Sequence, residues 1–155
     1  MSLEVWQQPQ VITQSQIIVN SFANLLSYEL LAPTETPVEL AQKLFFAPFV
    51  VVSHDTQADP ILNYANQAAL NLWETTWENL IQTPSRLTAE PVNRETRQAM
   101  LQQAAKYGYI DNYQGIRISS LGKRFSIQQA IVWNLQTPSG DPWGQAATFS
   151  DWTYL

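Results

Sequence analysis

Few side chains in this chain could do acid–base or nucleophilic chemistry, and they are poorly spaced for it. There is one His, His54, and no Cys. A serine hydrolase needs a Ser activated by a His and a third orienting group. Ser53 and His54 are adjacent in a strand-like run, so their side chains point to opposite faces and form no nucleophile–base pair. No G-x-S-x-G elbow is present, and the five Gly are scattered over turns and strands rather than gathered in a phosphate loop. Asp55 and Asp59 flank one turn, where turn hydrogen bonding is their expected role. No catalytic residue is assigned, and the chain is not expected to be an enzyme.

Metal and prosthetic-group chemistry is equally short of ligands. One His and no Cys leave carboxylates and carbonyls without a spaced motif, so no metal site is expected. His54 is the sole possible axial ligand for a haem, and a lone His at a strand end is more often structural. A covalent flavin adduct needs a cysteine. No cofactor is therefore expected, although noncovalent flavin binding stays open.

The remaining chemistry is aromatic and amide. Trp73 and Trp133 carry indole N–H groups that need partners when buried. With Asn63, Tyr64, Gln145 and Phe149 they form the expected ligand-binding set. These residues either fill a core or line an apolar pocket with a few orienting polar groups. Gln145 shares strand parity with Ala147 and Phe149, so an inward face would place an amide inside that pocket. Arg117 alternates with Ile116 and Ile118 and is expected to point outward.

These residues must be positioned by one domain-sized chain of 155 residues. Thirteen acids against eight bases give a net charge of −5, which makes a poor nucleic-acid binder. Only 14% of residues are charged, against a usual share of about 25%. Either amides solvate the surface, or part of it is covered by another subunit. No signal peptide and no membrane span are apparent, and a cytoplasmic location is expected. Residues 11–31 lack Pro and Gly, and Ile18, Val19, Phe22, Leu25, Leu26 and Leu30 recur at helical spacing. Thr36-Pro-Val-Glu39 starts a second helix, with Thr36 as cap and Glu39 closing a capping box. Residues 49–53 are β-branched and apolar and read as a buried strand. Residues 61–64 pair back, and Asn66 caps the helix that follows. Thr75-Thr-Trp-Glu78 opens a further helical piece. Asn93 caps a longer helix with Met100, Leu101, Ala104 and Ala105 on its buried face, ending at Gly108. Thereafter the period is two: strands over 113–119, 124–135 and 143–154, with Phe125, Ile127, Ile131, Trp133 and Leu135 expected on one face.

Two strands, a helical crossover and a three-stranded meander make an α+β domain. The order resembles a PAS domain. Ser53-His-Asp55 with Asp59-Pro-Ile-Leu-Asn-Tyr-Ala-Asn-Gln-Ala-Ala-Leu70, Leu72-Trp-Glu-Thr-Thr76, Gly108-Tyr-Ile-Asp-Asn-Tyr-Gln-Gly-Ile-Arg-Ile-Ser119 and Gly122-Lys-Arg-Phe-Ser-Ile-Gln-Gln-Ala-Ile-Val-Trp-Asn-Leu135, with the closing Ala146-Ala-Thr-Phe-Ser-Asp-Trp152, are similar to the MEKHLA domain, a PAS-like family. That family occurs as stand-alone bacterial proteins, notably cyanobacterial ones. It also occurs at the C-terminus of plant homeodomain-leucine zipper transcription factors. The stand-alone type is the one this chain resembles, so the plant role is not expected to carry over. The resemblance implies a PAS-like five-stranded antiparallel sheet, a helical crossover on one face and an N-terminal flanking helix. The first strand should lie between the second and the last. The expected organisation is an N-terminal helical extension over 1–35 and a PAS-like domain over 36–155. The expected function is a sensory or interaction domain binding a small molecule or a protein partner. Its output would pass through the N-terminal helix or a homodimer built on that helix and the outer sheet face. The alternatives are a structural dimerisation module with a filled core and, less favoured, a small enzyme using the same cavity.

Overall fold

A computed structural model of the chain describes residues 3–90 and 94–155. Pro9 presets the first turn of α1 (Pro9–Leu26), and Ser27 ends it in the left-handed region at φ 64°. The helix thus stops short of the expected residue 31. α2 (Pro37–Phe45) begins where the sequence places it, with the Thr36 hydroxyl accepting the Glu39 N–H at 3.2 Å. The Glu39 carboxylate reaches back to the Glu35 N–H at 3.3 Å rather than to that of the cap itself.

β1 (Val50–His54) and β2 (Leu62–Ala65) form a hairpin, and β2 passes through Asn66 straight into α3 (Gln67–Leu72). α4 (Trp77–Leu80) is capped by Thr76, which accepts from the Asn79 N–H, one residue later than the expected Thr75. A 3-10 turn at Ser85–Thr88 leads to α5 (Arg94–Tyr107). Asn93, the expected cap of α5, lies outside the described residues, as does the Leu101 side chain. Gly108 ends α5 at φ 80°, its N–H donating to the Ala104 carbonyl at 2.8 Å. β3 (Tyr109–Ile118), β4 (Arg124–Gln136), β5 (Pro142–Phe149) and β6 (Asp151–Tyr154) follow.

Every pairing is antiparallel, the order is β2-β1-β5-β4-β3, and β6 also pairs with β4. β1 lies between β2 and β5, as expected. Six strands replace the expected five because the last one breaks at Ser150. Its first half pairs with the C-terminal half of β4, and its second half pairs with residues 125–128. β3 starts before the expected residue 113, since left-handed Asn112 (φ 50°) interrupts the alternation that would have revealed it. At Gly144 (φ 120°) β5 passes so close to the His54 carbonyl that a Cβ would collide with it.

A bulge in β4 decides which side chains share a face. Gln129 adopts φ 52°, and the β3 register slips between Tyr113–Ala130 and Gly115–Ile127. One extra residue inverts a period of two. Phe125 and Ile127 therefore pack with Trp73 and Phe149, whereas Trp133 and Leu135 pack with Ile18 and Phe22 on the opposite face. The single face expected for Phe125 through Leu135 is split in two.

The sheet is covered on both sides. α3, α4 and α5 cover the inner face, over a core containing Leu70, Trp73, Ile110, Phe125, Ile127 and Phe149. α1 and α2 cover the outer face, over Val51, Tyr64, Trp133, Leu135 and Ala146. Ile18 and Phe22 of α1 are 0% and 1% exposed, so this helix buries its apolar stripe on its own sheet. Among the described residues no helix is long and apolar enough to cross a membrane.

Candidate functional site

The inner face of the sheet leaves a cavity of about 120 Å³ beneath Trp73, just past the end of α3, and the Ser85–Thr88 turn. Each wall has a local cause. In β1, Val52 and His54 alternate inward, and Ser53 between them faces out toward α1. In β5, Gln145, Ala147 and Phe149 share one parity, and that face is the inward one. Trp73 closes the cavity from α3, its ring edge-on to Phe125 at 5.4 Å and to Phe149 at 6.0 Å. Its Nε1 donates to the Thr88 carbonyl at 3.4 Å. Ser85 and Thr88 also line the cavity. They are brought there by the Ile61–Pro84 bridge and by the Ser85 N–H, which donates to the Pro60 carbonyl at 2.8 Å.

The polar lining is only partly paired. Gln145 Nε2 donates to Asn134 Oδ1 at 3.2 Å. His54 Nδ1 lies 2.8 Å from the Asp55 carbonyl, which can only accept, so Nδ1 carries the proton and Nε2 has no hydrogen-bond partner among the described residues. Arg117 points inward, not outward as expected, because its register opposite Phe125 puts both on one face. A second cavity of about 270 Å³ lies beyond Trp73, among Leu80, Leu87, Ile118 and Ser119. Trp73, Leu62 and Thr88 line both spaces.

The six expected ligand-binding residues divide between the faces. Trp73, Gln145 and Phe149 line the inner cavity. Asn63, Tyr64 and Trp133 lie on the other side of the sheet, under α1. Asn63 accepts from Ser53 Oγ and, at 3.5 Å, from Gln14 Nε2. Trp133 Nε1 donates to the Ile18 carbonyl at 3.2 Å. Sequence reading misses Val52, His54, Ser85, Thr88 and Arg117 as wall residues. Alternation along β1 could have found the first two; Thr83-Pro-Ser-Arg-Leu-Thr-Ala-Glu-Pro91 reads as a loop, but nothing in the sequence places its Ser85–Thr88 turn on the cavity wall.

Tyr64 is fully buried, and burial pushes its phenol well above the usual range, though the Ser15 hydroxyl beside it acts in the opposite direction. Its hydroxyl nevertheless makes no hydrogen bond of good geometry among the described residues. Ser15 Oγ instead donates to the Val11 carbonyl at 2.7 Å. A buried unpaired hydroxyl costs about 1–3 kcal/mol. Tyr64→Phe is therefore expected to leave stability unchanged or raise it by up to about 1 kcal/mol. A urea melt showing a loss above that size would reveal a partner for the hydroxyl.

Asp55 plays the expected turn role. Burial pushes its carboxyl up, but hydrogen bonds from the Ile61 and Gln57 N–H groups and the Gln57 amide, with the His54 charge, outweigh that and hold it below the usual range. Asp59 pairs with Arg86 on the surface. Among the described residues no group of three or more His, Asp or Glu is placed to hold a metal.

A strand pair, a helical crossover and an antiparallel meander around such a cavity define a PAS-like fold. The structure is similar to the PAS domain of a protein from Colwellia psychrerythraea, with a TM-score of 0.58 at 14% identity, covering 76% of this chain and 94% of that one. It is also similar to an RNA-binding Light-Oxygen-Voltage receptor, with a TM-score of 0.59 at 19% identity, covering 77% of this chain and 35% of the other. The MEKHLA domain family model matches residues 12–154, and the chain belongs to that family. Among curated relatives, homeobox-leucine zipper protein ATHB-8 of Arabidopsis thaliana is 26% identical over 149 residues, covering 95% of this chain and 18% of that protein. ATHB-9 of Arabidopsis thaliana is 30% identical over 103 residues, covering 64% of this chain and 12% of that protein. These relatives are plant proteins, and this chain spans less than a fifth of their length.

Proposed function

We propose that this chain is a non-catalytic, cytoplasmic sensory module that binds a small molecule in the inner cavity and passes the change to α1 or to a partner. PAS-like membership supports the sensory class. The observation that carries the ligand reading is the incompletely paired polar wall of Gln145, His54 and Arg117 set among Val52, Ile127 and Phe149. The route to α1 is short. His54 faces the cavity, while its neighbour Ser53 accepts from Gln14 of α1 at 3.1 Å. A ligand that favours one packing of β1 would shift the population of α1 positions. A flavin does not suit this cavity. Its 120 Å³ is well below the roughly 300 Å³ of sites for drug-sized ligands, and the chain has no Cys for an adduct.

The small cavity also favours a second reading, a structural dimerisation module with an essentially filled core. Since α1 buries its stripe on its own sheet, such a homodimer would pair through other exposed apolar side chains, such as Phe46 and Tyr28. Native mass spectrometry of the full chain separates the two. A bound small molecule, or a ligand that at a hundredfold excess over Kd stabilises the chain by about 2.7 kcal/mol, supports the sensor. A bare dimer that no small molecule stabilises supports the assembly module.

A further inference from the structure

The inner cavity is basic in an acidic protein. The chain carries a net charge of −5, yet the cavity wall holds Arg117 and His54 and no Asp or Glu. Arg117 is half-buried and held in place. Its guanidinium carbon stands 5.4 Å from the Tyr113 ring centroid, and its Nη1 donates to the Ile116 carbonyl at 3.3 Å. Gly115 makes room for this arrangement. A Cβ there would stand 2.9 Å from Arg117 Nη1 and 2.6 Å from the Tyr113 hydroxyl. The nearby carboxylates are engaged elsewhere: Glu90 with Arg124 at 2.6 Å, and Glu74 with Lys123 at 3.5 Å. Among the described residues no acid pairs with Arg117. A guanidinium has five N–H donors, and one carbonyl does not saturate it.

We infer that the cavity takes a short-chain carboxylate, its charged end on Arg117 and its carbon tail against Ile127, Phe149 and Trp73; this rests on the reading of the cavity as a ligand site. A carboxylate can meet the guanidinium fork with two parallel hydrogen bonds. Val52, Leu62 and Val132 add to that apolar side, while Ser85, Thr88, His54 and Gln145 supply the other polar groups of the wall. A phosphate has no carbon tail to set against Ile127 and Phe149, so it would leave that apolar side of the wall unused. The volume of about 120 Å³ limits the tail to a few carbons.

The test is a titration of the full chain at constant ionic strength, reading the Trp73 indole N–H resonance, assigned with Trp73→Phe. Acetate, propionate and butyrate are compared with acetamide, propionamide, butyramide and inorganic phosphate. The acids are expected to shift the resonance saturably, with the amides weaker by about tenfold or more. Arg117→Met should weaken acid binding by about the same factor, and Arg117→Lys by less, since it keeps charge but loses the fork. If Arg117→Met does not fold, Arg117→Lys decides. Amides binding as tightly as acids, phosphate binding in their place, or full acid affinity in both Arg117 variants would each overturn the carboxylate and leave the cavity as a binding site. Silence of Trp73 to every probe overturns the carboxylate; the ligand reading falls with it only if native mass spectrometry also finds nothing bound.

Discussion

Trp133→Ala is expected to lower the unfolding free energy by about 3–5 kcal/mol, the range for truncating a buried aromatic. Trp133 is 0% exposed. Its ring stands edge-on to Phe22 at 4.9 Å, and its indole donates to the Ile18 carbonyl inside α1. The side chain is therefore the main bolt between β4 and the N-terminal helix. Trp133→Phe keeps most of the ring contact and loses the hydrogen bond, so a smaller loss of about 1–2 kcal/mol is expected. Urea melts of both variants measure the difference. An unchanged midpoint for Trp133→Ala would place the ring at the surface. Because Trp133 lies across the sheet from the inner cavity, the Phe variant should bind any cavity ligand as the unsubstituted chain does. Loosening α1 should also speed its cleavage in limited proteolysis.

The position of Trp133 shows where sequence reading succeeds and where it stops. Local signals are legible because their cause is local. Thr36 caps α2, Asn66 caps α3 and Gly108 ends α5, each through bonds to residues within four positions. The burial of Trp133 follows from its place in an alternating run, but its face does not. The bulge at Gln129 lies where the β3 register slips and opposite the break at Ser150, and a non-glycine bulge residue leaves no mark in the sequence. Alternation with Ile116 and Ile118 places Arg117 outward, but its register opposite Phe125 puts it on the inner face. The stripe of α1 is visible in the sequence, but periodicity cannot say which surface covers it. Half of the expected ligand set therefore lies on the wall, and half lies behind it.

Asn66→Ala is the second large effect, expected to cost about 3–5 kcal/mol by leaving several buried backbone groups unpaired. Asn66 is 0% exposed and its amide is saturated. Oδ1 accepts from the Val51 N–H at 3.1 Å and the Ala69 N–H at 3.2 Å. Nδ2 donates to the Leu44 carbonyl at 3.2 Å and the Phe49 carbonyl at 2.8 Å. One side chain thus caps α3, completes the start of β1 and holds the end of α2. No smaller residue can do all three. Asn66→Asp isolates the donor half. It keeps the shape and the accepting oxygen but turns the other oxygen toward two carbonyls. Burial and those acceptors raise the folded pKa of the new carboxyl, the Val51 N–H and the Ala69 N–H at the start of α3 lower it, and the expectation is that the raising effects win. Its stability is then fullest below the unfolded pKa and is lost as pH rises through the folded one. The expected result is that the Asn66→Asp variant melts well below the unsubstituted chain at pH 7 and regains part of the difference near pH 4. An Asn66→Asp variant as stable as the unsubstituted chain at pH 7 would show that the Nδ2 bonds carry no weight and that Asn66 acts only as the helix cap.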